Sequence, residues 1–252
     1  MNPPSDADCL RSPDLVHEPD PRVVNIVNIN SQTGAVRPIV LADQHAAIAQ
    51  FNVNLAVPET IRVHFETAKN LYLYAWFVYR FYPIAEQQAL ASLEFALREC
   101  LGEFVRCYKA KHRKSQEPGL GALLKHAIQH QVIRNEAFTC RARWALERAR
   151  ERCRYKQLQK MMKAKLEIMT VDESNVQASE EDLNHDWLDA FLKILPGIRN
   201  DYAHGSPTLY HTVLWVFEVV MEIINQLYPE NPSPNASFPC AENSQSLSGH
   251  EL

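Results

Sequence analysis

Arg199-Asn200-Asp201-Tyr202-Ala203-His204-Gly205 sets a permanent cation and a histidine five residues apart, on a break between two apolar helical runs. Arginine clamps phosphate with a planar fork of donors. Histidine moves protons near neutral pH. The pair could cut an RNA backbone without a metal. His204 would take the proton of a ribose 2′-OH, or give one to the departing 5′-oxygen. Arg199 would neutralise the crowded phosphorane oxygens. Asn200 can hydrogen-bond phosphate or hold Arg199, and Asp201 could orient an imidazole.

Five residues of regular α-helix rotate roughly 140° beyond a full turn, at about 100° per residue. Arg199 and His204 therefore do not share a face on one helix. They converge only if the backbone leaves regular helix, for which Gly205-Ser206-Pro207 offers an escape, or if a second copy supplies the partner across a two-fold axis.

The elements that must position them read as helices. After Pro58, Ile61, Phe65, Ala68, Tyr72, Ala75 and Tyr79 fall at three- and four-residue steps. Pro83 separates this helix from one carrying Leu90, Leu93, Leu97, Leu101, Phe104 and Tyr108. A third, with Leu120, Leu124, Ile128 and Val132, follows the break at Ser115 to Gly121. Phe138, Ala142, Ala145, Ala149 and Cys153 make a narrow stripe on a very basic helix at about 134–168. Ser179 can cap the next helix, whose core face is Trp187, Phe191 and Leu195; Pro196-Gly197 interrupts it just before the motif. Ser206-Pro207 is a start signal for the final helix, with Leu209, Val213, Val216, Val220, Ile223 and Leu227 inward. That helix is apolar so far around that it must be central or lie at an oligomer interface. Near the N-terminus, Val23 to Ile29 and Ala35 to Leu41 read as a small β-hairpin turning at Ser31-Gln32-Thr33-Gly34.

The expected organisation is thus all-α. Residues 1–57 form a disordered lead plus the hairpin, 58–228 a helical domain, and 229–252 a disordered tail. Seven glycines in 252 residues disfavour a turn-rich barrel or sandwich. The net charge of −4 hides an asymmetry: residues 98–165 hold 18 Lys+Arg against 6 Asp+Glu. Such a block is either a nucleic-acid footprint, with Arg141, Arg148, Arg152 and Lys156 as RNA-binding candidates, or a solvated helix face paired with acidic neighbours. Six cysteines show no metal-ligand spacing. His126 and His130 have the spacing of a metal pair but lack the glutamate of H-E-x-x-H, so a surface helix is expected and no metal or cofactor. The aromatic run Tyr72 to Tyr79 could stack bases, but its helical spacing reads as core. No signal peptide and no membrane span is evident, which makes the cytoplasm the expected compartment.

Ile198-Arg199-Asn200-Asp201-Tyr202-Ala203-His204-Gly205, set before a long apolar final helix, resembles the R-x(4–6)-H signature of HEPN domains. The resemblance covers roughly residues 59–228, leaving the basic insertion and N-terminal segment unexplained. It implies an all-α HEPN-like bundle and a metal-independent endoribonuclease acting as a homodimer, with Arg199, Asn200 and His204 catalytic. It also implies a toxin or defence setting and an antitoxin or defence-system partner. Some members bind ligands or partners without cutting, so a non-catalytic binding or scaffold module is the alternative. Where some HEPN toxins carry a regulatory tyrosine two residues after the histidine, this chain has Ser206, and no nucleotidyltransferase domain is visible in it.

Overall fold

Helix α3, Phe81–Cys100, is the axis of the structure: twelve of its 20 residues are buried, including Tyr82, Leu90, Leu93 and Leu97. A helix buried on so many sides must sit at the centre of a bundle. In the computed structural model, which describes residues 6–30, 33–112, 116–203 and 210–230, its most extensive contacts are with four others. They are α2 (Glu59–Tyr74), α5 (Leu120–Gln129), α8 (Trp187–Ala203) and α9 (Leu214–Leu227). The remaining helices among the described residues are α1 (Leu41–Ala49), α4 (Gly102–Lys111), α6 (Arg141–Ala164) and α7 (Glu180–Leu183). Strands β1 (Val27–Ile29) and β2 (Val36–Pro38) pair antiparallel, Asn28 opposite Arg37. Gly34, at φ +70°, supplies the left-handed turn residue between them. The helical fold is that expected and the hairpin forms, but with shorter strands: Val23–Asn25 is a 3-10 helix, and Leu41 opens α1, a helix within residues 1–57 where only a disordered lead and the hairpin were expected.

Several boundaries differ from expectation: α2 stops at Tyr74, short of Tyr79, and the basic helix spans Arg141–Ala164 rather than about 134–168. The stripe from Leu90 to Tyr108 is two helices, because Leu101 leaves helical geometry (φ −102°, ψ 34°) before Gly102 restarts the chain as α4. The Ser179 capping box forms, but closes only the four-residue α7. There the Asn135 side chain accepts from Trp187 N–H at 3.0 Å, and Asp186 accepts from Asp189 N–H, starting α8 afresh. Pro196 does not interrupt α8. It lacks the N–H that would reach back to Leu192, and its ring seats on α5 at Gly121, where a Cβ would lie 3.3 Å from Pro196 Cγ. Finally, α9 begins at Leu214 rather than near Ser206-Pro207; residues 204–209 lie outside the described residues, as does the tail beyond 230.

One copy covers α9. Val216, Phe217, Val219, Val220, Ile223 and Ile224 are all buried, and Phe217 lies against Phe65 and Tyr72 at 6.0 Å between ring centroids. Its apolarity is satisfied within the chain, so that argument for a dimer interface falls away; Trp215, 40% exposed, is the large side chain left outward.

The N-terminal segment is not a loose lead where it is described. Asp20 is fully buried, accepts from Tyr79 N–H at 3.0 Å and binds Arg22 through both oxygens. Asp8 then joins Arg22 (2.9 Å) and Arg80 (2.7 Å). A fully buried carboxylate needs such partners, and here they staple residues 8–22 onto the α2–α3 connection. Arg22 and the backbone donors hold the Asp20 carboxyl below its ordinary range against the opposing effect of burial.

Candidate functional site

Arg199 stands four residues after the fully buried Leu195, so it continues the inward face of α8 towards α3. Its Nε donates to Glu94 Oε2 at 3.3 Å. The other oxygen of Glu94 takes Nη2 of Arg98, one helical turn further along α3. Glu94 is almost completely enclosed (6% exposed), whereas the guanidinium side chains of Arg98 and Arg199 are 34% and 42% exposed. One interior carboxylate thus orients two cations whose outer edges reach solvent. Glu117 ties in from the surface, 3.4 Å from Arg98 and 2.6 Å from Lys109, and Lys109 holds its carboxyl below the ordinary range.

Asn200 and Asp201 are exposed. His204 lies outside the described residues, so its distance from Arg199 is not part of the geometry. The first residue described after it, Tyr210, donates its hydroxyl to the fully buried Glu86 at 2.8 Å. Glu86 and Glu94 are eight residues apart on α3, roughly 12 Å of helix axis. The two flanks of the motif are therefore tied to one helix through two interior carboxylates.

Neither glutamate was singled out in the sequence. The signal was present: both interrupt the apolar face that Leu90, Leu93 and Leu97 define, and an acid there must be paired.

A neighbouring feature is His211. Its Nδ1 is 3.2 Å from the Tyr79 hydroxyl, and its ring meets Tyr82 edge-on. It borders a cavity of about 330 Å³ that also touches the hairpin, Tyr72 and Gln44. Gln44, buried, donates to Tyr72 O and accepts from the Tyr82 hydroxyl, so these polar groups are satisfied. Burial pushes the Tyr72 phenol up to about 12, which keeps it protonated.

The basic candidates divide. Arg148 and Arg152 both reach Asp182, which is fully buried and also accepts from the Ser179 hydroxyl and N–H. Arg152 foremost, then Ser179, holds the Asp182 carboxyl far below its ordinary range although burial opposes this. These two arginines attach α7 to α6. Arg141 reaches Asn184 at 3.5 Å. Lys156 is exposed and lines a groove on the far half of α6. Arg143, Arg150 and Arg154 pair with Glu218, Glu147 and Glu173. The first half of the basic segment is thus largely neutralised by acidic neighbours. Of its expected apolar stripe Phe138, Ala145 and Ala149 are buried, Ala142 is exposed, and Trp144 joins instead.

Among the described residues no group of three or more His, Cys, Asp or Glu is placed to hold a metal. His126 stacks on Phe104 at 3.9 Å between centroids and sits 4.2 Å from His130. No helix of the described residues is long and apolar enough to cross a membrane. No family model matches the chain, and neither a curated protein nor a solved structure matches it.

Proposed function

We propose that the chain is a metal-independent endoribonuclease of HEPN type, acting as a homodimer in a toxin or defence role, with Arg199, Asn200 and His204 at the reacting phosphate. The observation that carries this reading is the seating of Arg199. An enclosed carboxylate holds one edge of its guanidinium, the side chain is 42% exposed, and the next residue of the helix, Asn200, is exposed as well. A prepositioned, partly exposed fork of donors is what phosphorane stabilisation requires.

In this mechanism the 2′-oxygen attacks phosphorus as His204 removes its proton. The P–O5′ bond breaks, and the leaving oxygen is protonated by the second copy's histidine or by water. The products are a 2′,3′-cyclic phosphate and a 5′-hydroxyl. The proposed compartment is the cytoplasm.

The second reading is a non-catalytic binding or scaffold module. It is favoured by the pairing of Arg199 with Glu94, since the charge that would meet phosphate is already partly compensated within the fold.

The test is purified protein with RNA in EDTA, beside His204→Ala. Cleavage leaving cyclic phosphate ends in the wild type, and none in the variant at unchanged helicity, is the expected result. Cleavage that persists in His204→Ala, or that needs added divalent metal, refutes the mechanism. RNA bound but intact moves the assignment to the binding module.

A further inference from the structure

Helix α6 changes character along its length. From Arg143 to Arg154 its arginines face carboxylates: Arg143 with Glu218, Arg148 and Arg152 with Asp182, Arg150 with Glu147, Arg154 with Glu173. Beyond that point Lys156, Lys160 and Lys163 are exposed, and among the described residues no ion pair reaches them. They line one groove of about 310 Å³ with Cys153, Gln157 and Gln159. Its lining therefore carries three ammonium groups, two amides and no carboxylate. Steps of four and three residues keep the lysines within an arc of about 60°, spaced roughly 6 and 4.5 Å along the axis.

We propose that this end of α6 is a docking ridge for the phosphate backbone of single-stranded RNA, built from Lys156, Lys160 and Lys163. It rests on the RNA reading above but concerns binding, not cleavage. Lysine offers three donors and no acceptor, so the groove suits an acceptor-only, repeating anion. Arg148 and Arg152 are excluded from this role by their hold on Asp182.

The same helix end exposes Tyr155, Leu158 and Met162 (62, 51 and 70%), which raises a bilayer as a rival occupant. The geometry argues against it. At about 100° per residue the apolar stripe is centred roughly 130° from the lysine ridge. A helix resting its apolar stripe on a membrane would turn the ridge away from the headgroups, whereas interfacial helices use cations beside the buried arc. A second copy of the same ridge is opposed by like charge.

The experiment measures anisotropy of a labelled single-stranded 2′-O-methyl RNA, which cannot be cut by 2′-OH attack, across a salt series. Replacing Lys156, Lys160 and Lys163 together with Gln removes three contacts. At about 0.7 per phosphate for a single strand, the slope of log K against log salt should shrink by about 2, and affinity at 0.1 M salt should fall on the order of 100-fold. Triple replacement with Arg should keep the slope, and circular dichroism checks that the helix survives. Arg148→Gln with Arg152→Gln should leave the slope unchanged.

A triple Gln variant with wild-type slope and helicity overturns the ridge. So does a protein that ignores this RNA yet sediments with phosphatidylserine–phosphatidylcholine vesicles through Tyr155, Leu158 and Met162. The two proposals fail separately. Binding of 2′-O-methyl RNA without cleavage of ordinary RNA removes the nuclease and keeps the ridge. Cleavage with an unaltered slope does the reverse.

Discussion

Glu94→Gln keeps the shape of an interior side chain and deletes its charge. The carboxylate it replaces serves Arg98 through one oxygen and Arg199 through the other. A hydrogen bond to a charged group contributes about 1.5–3 kcal/mol when sheltered. Here the arginine side chains are 34% and 42% exposed, so solvent screens each pair, and the discounted contribution is about 1 kcal/mol apiece. The expected loss is therefore about 2 kcal/mol, which for a chain of this size lowers Tm by about 4–8 °C. Urea unfolding followed by circular dichroism measures it, and a double-mutant cycle with Arg199→Gln isolates one pair, with an expected coupling of about 1 kcal/mol. Zero coupling, or a Glu94→Gln cost below about 0.5 kcal/mol, would show that Glu94 does not hold Arg199. The proposed seating of the guanidinium would then be lost with it.

Two further outcomes follow from the packing. The Asp182 carboxyl is held below its ordinary range by Arg152. A depressed carboxyl contributes stability that is complete above its unfolded pKa, near 3.8, and is lost as pH falls through the folded value. Unfolding midpoints of wild type and Asp182→Asn should thus differ most above about pH 4 and converge in stronger acid, and a gap constant from pH 7 to 2 would refute the pairing. At Gly121, where a Cβ meets Pro196 Cγ at 3.3 Å, Gly121→Val should cost about 1–3 kcal/mol by overpacking. Pro196→Ala in the same chain should recover part of that cost in urea unfolding, and no recovery would show that the two do not touch.

The helical run from Ile61 to Leu227 was legible because its apolar positions keep a three- and four-residue rhythm, and the hairpin because Gly34 separates two β-branched stretches. Helix ends were less legible. The break at Leu101 depends on a backbone angle, and the passage of α8 through Pro196 depends on Gly121, 75 residues earlier in the chain. Local composition carries neither fact. The docking of residues 8–22 was missed because it rests on Asp20 and Asp8 meeting Arg22, Tyr79 and Arg80, and polar, proline-rich composition alone reads as a free lead.

Charge explains both what was foreseen about the site and what was not. A count of 18 basic against 6 acidic residues over 98–165 marks a polyanion footprint or a paired face, and composition cannot separate them. The fold separates them residue by residue. Asp182, Glu173 and Glu218, from segments outside that block, meet Arg148, Arg152, Arg154 and Arg143, while nothing acidic lines the groove at Lys156, Lys160 and Lys163. The same logic applies at Arg199. Its sequence neighbourhood names a phosphate-binding cation, but Glu94, 105 residues away, sets which edge of the guanidinium faces solvent. An enclosed carboxylate that orients a half-exposed arginine restricts it to donating outward from a fixed position. That restriction is compatible with holding a phosphate whether or not a histidine then cuts beside it, so chemistry at His204 decides between nuclease and binding module.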